Sequence, residues 1–320
     1  MRIFSSSLYK FQNKLLTNEL FEELKQVYPR VVGRSASPSE ASSWRASLPR
    51  LEAVLRLADL PGNVWISLEE RIPYYAKRAD VVLFGHDMSG QQHMVVIELK
   101  AWEEATALDD GNVLIPLGGG LVTEPHPSAQ VRGYQEHLLD FCKAFQSDHP
   151  MKLSSCAYCQ NYRGNTPNNG LFHPQFAPLL AMSPTFGERD AAKVGTFLRA
   201  RLSGGMGEEV LRTFDVEGIG PSKQLIDYAN TMIQKQNVFT LLDEQLAANN
   251  AILKAVRKAT KRTEKHVILI RGGPGTGKSV IALNTLGEAL RNKLTVYFVT
   301  GSAAFTHGKW FIINLYKISW

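Results

Sequence analysis

The sequence predicts an α/β protein in two domains: a mixed sheet with flanking helices, followed by a smaller nucleotide-binding lobe. Three observations carry this reading. Two apolar runs, VVLF at 81–84 and MVVI at 94–97, are joined by a polar turn containing glycine, the pattern of a β-hairpin. Around them lie stretches with apolar residues at helical spacing, among them Leu20, Phe21, Leu24 and Val27, then Val131, Tyr134, Leu138 and Phe141. Further on, an apolar run at 267–270 leads into GGPGTGKS and then a helical pattern, giving strand, glycine loop and helix in succession.

A chain of 320 residues has room for two cores. The boundaries fall at 1–215 for the first domain, 216–240 for a linker helix region rich in Gly, Pro and Lys at its start, and 241–320 for the second. With 44% hydrophobic and 21% charged residues, the composition is that of a globular protein and excludes a disordered or fibrous chain. Lys and Arg exceed Asp and Glu by 36 to 30, a net charge of +6 that leans toward a polyanionic partner. Three cysteines are too few for a disulfide scaffold and suit a reducing compartment. No segment approaches 18 consecutive apolar residues, so the expected location is cytoplasmic, with no membrane partner.

Taken in order, the first residues form a short apolar and polar arm, and a helix follows, capped near Thr17 or Asn18. SPSEASSWRASLPRLEAVLRLA is a second helix that Pro49 bends or divides. NVWISLEERIP alternates as a strand ending at Pro73, and it should pair beside Asp80. After the hairpin, residues 107–128 form a loop with a short hairpin inside, where Gly118, Gly119 and Gly120 make a turn. SSCAYCQNY supplies another strand, and Cys156 and Cys159 are read as buried thiols, since no second Cys pair follows at zinc spacing. GERDAAKVGTFLRARL and GEEVLRTF complete the first domain as helices.

The chemistry concentrates at the hairpin's end. Asp80 stands at the mouth of the first run, and Glu98 and Lys100 close the second. Strand side chains alternate, so Glu98 and Lys100 project from one face while Leu99 points away. Two ionised carboxylates about 4 Å apart repel by roughly 4 kcal/mol at an effective dielectric near 20, so such a pair calls for a cation between them. Oxygen ligands suit Mg2+ or Mn2+. An ordinary hairpin ending in charges at the solvent boundary is the plainer alternative. Gln130 and Tyr134 lie four apart, on one face of the HPSAQVRGYQEHLLDF helix.

The spacing of Asp80, Glu98 and Lys100 resembles the PD-(D/E)XK nuclease superfamily, and Gln130 with Tyr134 resembles the QxxxY element of its RecB-like members. The resemblance implies a PD-(D/E)XK nuclease-like mixed sheet in which Asp80 and Glu98 hold Mg2+ (or Mn2+). Lys100 then serves the attacking water, and the Gln-Tyr helix packs beside the metal. It also implies a further acid, for which Glu69 ranks above Glu40.

GGPGTGKS fills the G-x-x-x-x-G-K-S pattern of a P-loop: Gly272, Gly273, Pro274, Gly275, Thr276, Gly277, Lys278 and Ser279. Glycines let successive N–H groups close on phosphates, Lys278 reaches the β and γ phosphates of ATP, and Ser279 ligates Mg2+. Upstream, Gln245 resembles the adenine-reading glutamine of a helicase Q-motif. Downstream, 294–299 reads as a second buried strand, and TGSAAFT resembles motif Ia of superfamily 1 helicases, with Thr300 and Ser302 as phosphate contacts or, equally, turn residues. The order of these parts resembles the Schlafen-group-3-like DNA/RNA helicase-domain proteins, which implies a RecA-like P-loop lobe behind the nuclease module.

Beyond Glu288 the sequence contains no Asp or Glu, so the Walker B acid of a RecA-like motor is lacking. The apolar THGKWFIINLYKISW departs from the family pattern, and the lobe is expected to be incomplete, broken near Phe305. The expectation is a metal-dependent nuclease acting on nucleic acid, DNA favoured over RNA, coupled in a longer form to an ATP-dependent helicase. The alternative is a non-catalytic ATP- and nucleic-acid-binding fragment of a helicase-like protein.

Overall fold

The computed structural model describes residues 2–73, 78–109, 111–147, 149–164, 170–219, 243–262, 266–273, 276–292 and 294. The chain divides into two compact units, Met1–Ser222 and Lys223–Trp320. The linker helix region beyond residue 219, Pro274, Gly275, the strand expected at 294–299 apart from Leu294, Thr300, Ser302 and the 306–320 stretch all lie outside the described residues.

The first unit is built on a six-stranded mixed sheet of order β1-β2-β3-β4-β8-β9. Its strands are β1 (Phe4–Ser7), β2 (Trp65–Arg71), β3 (Arg78–His86), β4 (Gln92–Lys100), β8 (Lys152–Cys159) and β9 (Thr185–Phe186). The first four are antiparallel neighbours, whereas β8 and β9 add on in parallel. The expected hairpin is β3 and β4. The opening arm is itself the edge strand β1, a pairing that four residues, FSSS, do not announce.

Helices cover both faces. On one side α1 (Leu8–Leu16), α2 (Glu19–Val32), α3 (Pro38–Ala58) and α6 (Ala191–Leu202) bury Phe11, Leu24, Leu51 and Leu198 against Ile66, Val81, Val95 and Ile97. On the other, α4 (Pro127–Phe141) and α7 (Gly207–Glu217) bury Val131, Tyr134, Leu138 and Val210 against Val82, Phe84, Met94 and Val96. Alternation along β3 and β4 sends odd and even residues to opposite cores, which is why these strands read as unbroken apolar runs.

Pro49 does not divide α3, which runs as one 21-residue helix with Pro49 inside. The 107–128 stretch is more ordered than a loop with a hairpin. It carries β5 (Thr106–Ala107), β6 (Asn112–Leu117) and β7 (Gly120–Pro125) in a separate three-stranded sheet, while α5 (Ala177–Met182) follows later in the chain. Gly118 and Gly119 turn β6 into β7 with φ of 61° and 84°, angles that suit glycine. Cys142, Cys156 and Cys159 are buried free thiols, and burial pushes Cys142 and Cys156 up to about 12.

The second unit, among its described residues, shows two helices, α8 (Asp243–Arg262) and α9 (Lys278–Arg291). Among the described residues no strand pairs with the 267–270 run, and Val267 and Leu269 are 98% and 74% exposed. Among the described residues no helix is long and apolar enough to cross a membrane.

Candidate functional site

Strand register sets the first-unit site. Val81 pairs with Ile97, and one step further the antiparallel register places Asp80 opposite Glu98. In the same way Leu68 with Val81 and Glu70 with Ala79 bracket Glu69 opposite Asp80. Three acids therefore share one row across β2, β3 and β4.

Their side chains do different things. Glu98 is 3% exposed; its Oε1 accepts from Lys100 Nζ at 2.8 Å and from Gln130 Nε2 at 2.5 Å. Gln130 Nε2 also donates to Tyr134 Oη at 2.8 Å, so the pair on α4 acts as one unit against the acid. Leu99 turns away to the opposite core. Asp80 Oδ2 accepts the Leu99 N–H at 2.8 Å, taking the place of a backbone carbonyl at the ladder's end. Burial pushes the Asp80 carboxyl up, against the pull of that N–H and of the Lys100 charge. For Lys100 burial pulls down, but Glu98 and Asp80 outweigh it and the net direction is up. Its ammonium also lies 5.3 Å from the Trp102 ring centroid.

Glu69 adopts a left-handed φ of 53°. Trp65, on the same strand parity, packs with the α4 core, and plain alternation would send Glu69 that way too. The twist instead turns it toward α3, where its Oε1 accepts from Trp44 Nε1 at 3.0 Å. Burial raises its carboxyl to about 7, the Trp44 N–H opposing this and the Asp80 charge adding to it. Glu40 serves the start of α3: it forms a capping box with Ser37 and pairs with Arg34 at 2.8 Å, so it is a helix-turn acid and not a member of the row.

His126, which the sequence reading passed over, sets the start of α4. Its Nδ1 accepts the Ser128 N–H at 3.1 Å, its Nε2 meets Leu171 O at 3.0 Å, and Gln130 N–H donates to its carbonyl. The signal was the following Pro127, which favours the first helical position. Ser128 and Thr185 hydroxyls at 2.7 Å and Ser155 Oγ on Gln135 Oε1 at 2.6 Å fasten the same helix to β8 and β9.

Among the described residues no group of three or more His, Cys, Asp or Glu side chains could hold a metal ion. The row thus offers two carboxylates, Asp80 and Glu98, with Glu69 turned aside. Mg2+ is commonly held by one or two carboxylates, waters and substrate phosphates, so this donor set fits a hard cation that shares its ligands with a phosphodiester.

In the second unit the glycine loop leads into α9. Gly277 has φ of 80°, a left-handed angle that favours glycine, and a Cβ on Gly272 would lie 2.6 Å from Thr276 Oγ1, so that hydroxyl would have to move. Lys278 Nζ donates to the carbonyls of Gly272 at 2.7 Å and Gly273 at 2.5 Å. Gln245 Nε2 donates to Thr276 O at 3.1 Å, so it touches the loop backbone. Ser279 is exposed in the first turn of α9. A helix N-terminus with a lysine over a glycine loop fits a nucleotide's phosphates.

Residues 265–308 match a protein family, the Schlafen group 3, DNA/RNA helicase domain. No nuclease-family signature was found for the first unit. No curated protein matches the chain, and no solved structure matches it either.

Proposed function

We propose that this chain binds ATP and nucleic acid as part of a helicase-like protein. The observation that carries this is the GGPGTGKS loop at the head of α9, with Lys278 gathered over it, inside the span that matches a DNA/RNA helicase domain. Gly272, Gly273, Pro274, Gly275, Thr276 and Gly277 would wrap the phosphates, Lys278 would neutralise them, Ser279 would reach the accompanying Mg2+, and Gln245 stands beside the loop. The net charge of +6 suits a polyanionic partner. Titration with a fluorescent ATP analogue and Mg2+ tests it: Lys278→Ala should weaken binding at least about tenfold, a loss of about 1.4 kcal/mol. Equal binding by the variant would overturn the reading.

A second reading, metal-dependent cleavage of DNA or RNA, is favoured by the way Glu98 joins Lys100 to the Gln130 and Tyr134 pair beside Asp80. A bound Mg2+ or Mn2+ at Asp80 and Glu98 would polarise the phosphodiester and acidify a water. The chain's own part is to orient: Gln130 fixes the Glu98 carboxylate, and Lys100 steadies developing negative charge. Incubation with single- and double-stranded DNA and RNA, under Mg2+, Mn2+ or chelator, decides between the readings. Cleavage lost in Asp80→Asn, Glu98→Gln and Lys100→Ala supports the nuclease, whereas no cleavage under any metal leaves the binding function alone.

A further inference from the structure

At the end of β4 away from Glu98 lies a cavity of about 530 Å³. Asp87, Ser89 and His93 line it from the hairpin, Lys152 and Ser154 from the start of β8, and Arg201 from α6. Five residues of strand separate His93 from Glu98, about 17 Å at 3.4 Å per residue, so this is a different place from the acid row.

Arg201 is held there firmly. Its Nε donates to Ser154 Oγ at 2.9 Å and its Nη1 to Phe197 O at 2.7 Å, and the guanidinium carbon lies 3.7 Å from the Phe197 ring centroid. Among the described residues no carboxylate pairs with Arg201 or with Lys152. The cavity's single acid is spent elsewhere. Asp87 Oδ1 accepts from Ser89 N–H at 2.8 Å, Ser89 Oγ at 2.6 Å and Gln91 N–H at 3.0 Å, while Oδ2 faces His93 Nε2 at 3.1 Å. Burial lowers the Arg201 pKa, with the neighbouring Cys156 opposing it. Such a cation is costly unless a ligand supplies the opposite charge.

We propose that this cavity binds a phosphate group. The remaining N–H groups of Arg201 present a planar fork, already oriented by its ring and its two hydrogen bonds, which matches phosphate oxygens in geometry. Lys152, exposed at the rim, adds a mobile ammonium, and the Ser154 hydroxyl, which accepts from Arg201, has its own proton to donate. The phosphate can arrive free or as part of a nucleic-acid backbone, and the test separates the two.

The full chain is unfolded thermally in inorganic phosphate and in chloride of equal ionic strength, and its binding to a labelled single-stranded oligonucleotide is followed across a salt series. Lys152→Gln, Arg201→Gln and Arg201→Lys are compared with the parent; Lys152 is exposed, so its variant keeps the test readable if an Arg201 substitution fails to fold. Phosphate should raise the parent's midpoint above its chloride value, and Lys152→Gln and Arg201→Gln should lose that gain. Arg201→Lys, which keeps charge without the fork, should retain part of it. If the oligonucleotide's salt slope also falls by about 1 per substitution, the backbone is the source. If its binding is unchanged while the phosphate gain is lost, the source is free phosphate. A parent indifferent to phosphate, with oligonucleotide binding untouched by either substitution, would overturn the proposal.

Discussion

Glu69 departs most sharply from what its sequence position implies. An alternating strand sends Trp65, Ser67 and Glu69 to one face, and nothing in WISLEER marks a left-handed residue at the fifth place. The Trp44 indole that receives it comes from 25 residues away, beyond the reach of local pattern. By contrast, the union of Glu98 with Lys100 follows from alternation alone, and that of Gln130 with Tyr134 from helical spacing. The Glu69 shift has a consequence for stability. Its carboxyl moves from an ordinary 4.5 to about 7 in the folded protein. The unfolded chain therefore releases this proton first. The associated stability is complete below about pH 4.5, declines as pH rises, and is lost above about pH 7. Glu69→Gln keeps an acceptor for Trp44 and removes the titration. Urea unfolding at pH 5, 6, 7 and 8 should show a shallower decline than the parent, with the variant the more stable at pH 8; parallel profiles would refute it.

At the scale of elements, α4 decides whether the acid row acquires its glutamine. The helix itself was legible from Val131, Tyr134, Leu138 and Phe141, but its fastening was not, because His126 bonds to Leu171, 45 residues away. Burial holds the His126 pKa down, which keeps the ring neutral, able both to accept from Ser128 and to donate to Leu171. His126→Ala removes a cap worth about 1 kcal/mol and strands a buried carbonyl for about 1 kcal/mol more. The expected loss is about 2 kcal/mol in chemical denaturation, with His126→Asn recovering the cap's share. A variant as stable as the parent would mean that burial of Val131, Tyr134 and Leu138 alone holds the helix.

For the whole molecule, fold class was written in the order of the elements, while the sheet's outer boundaries were not. β1 covers the outer side of β2, with Ser5 opposite Ser67 and Arg2 bonded to both Glu70 and Asp215. Removing residues 2–7 should therefore unsettle the first unit far beyond its length, since Ile3 and Phe4 leave the core together with the strand. Cooperative unfolding monitored by circular dichroism should weaken or vanish in the shortened chain, and an unchanged midpoint would show the strand to be dispensable.

The sheet ends in strands of four residues on one side and two on the other. So little rim gives a neighbouring molecule scant backbone to latch onto, and the fold guards itself against fibre-like stacking by brevity. A shortened chain would forfeit that guard on the β2 side, where seven residues of backbone would come to light, and clumping in concentrated solution should announce it.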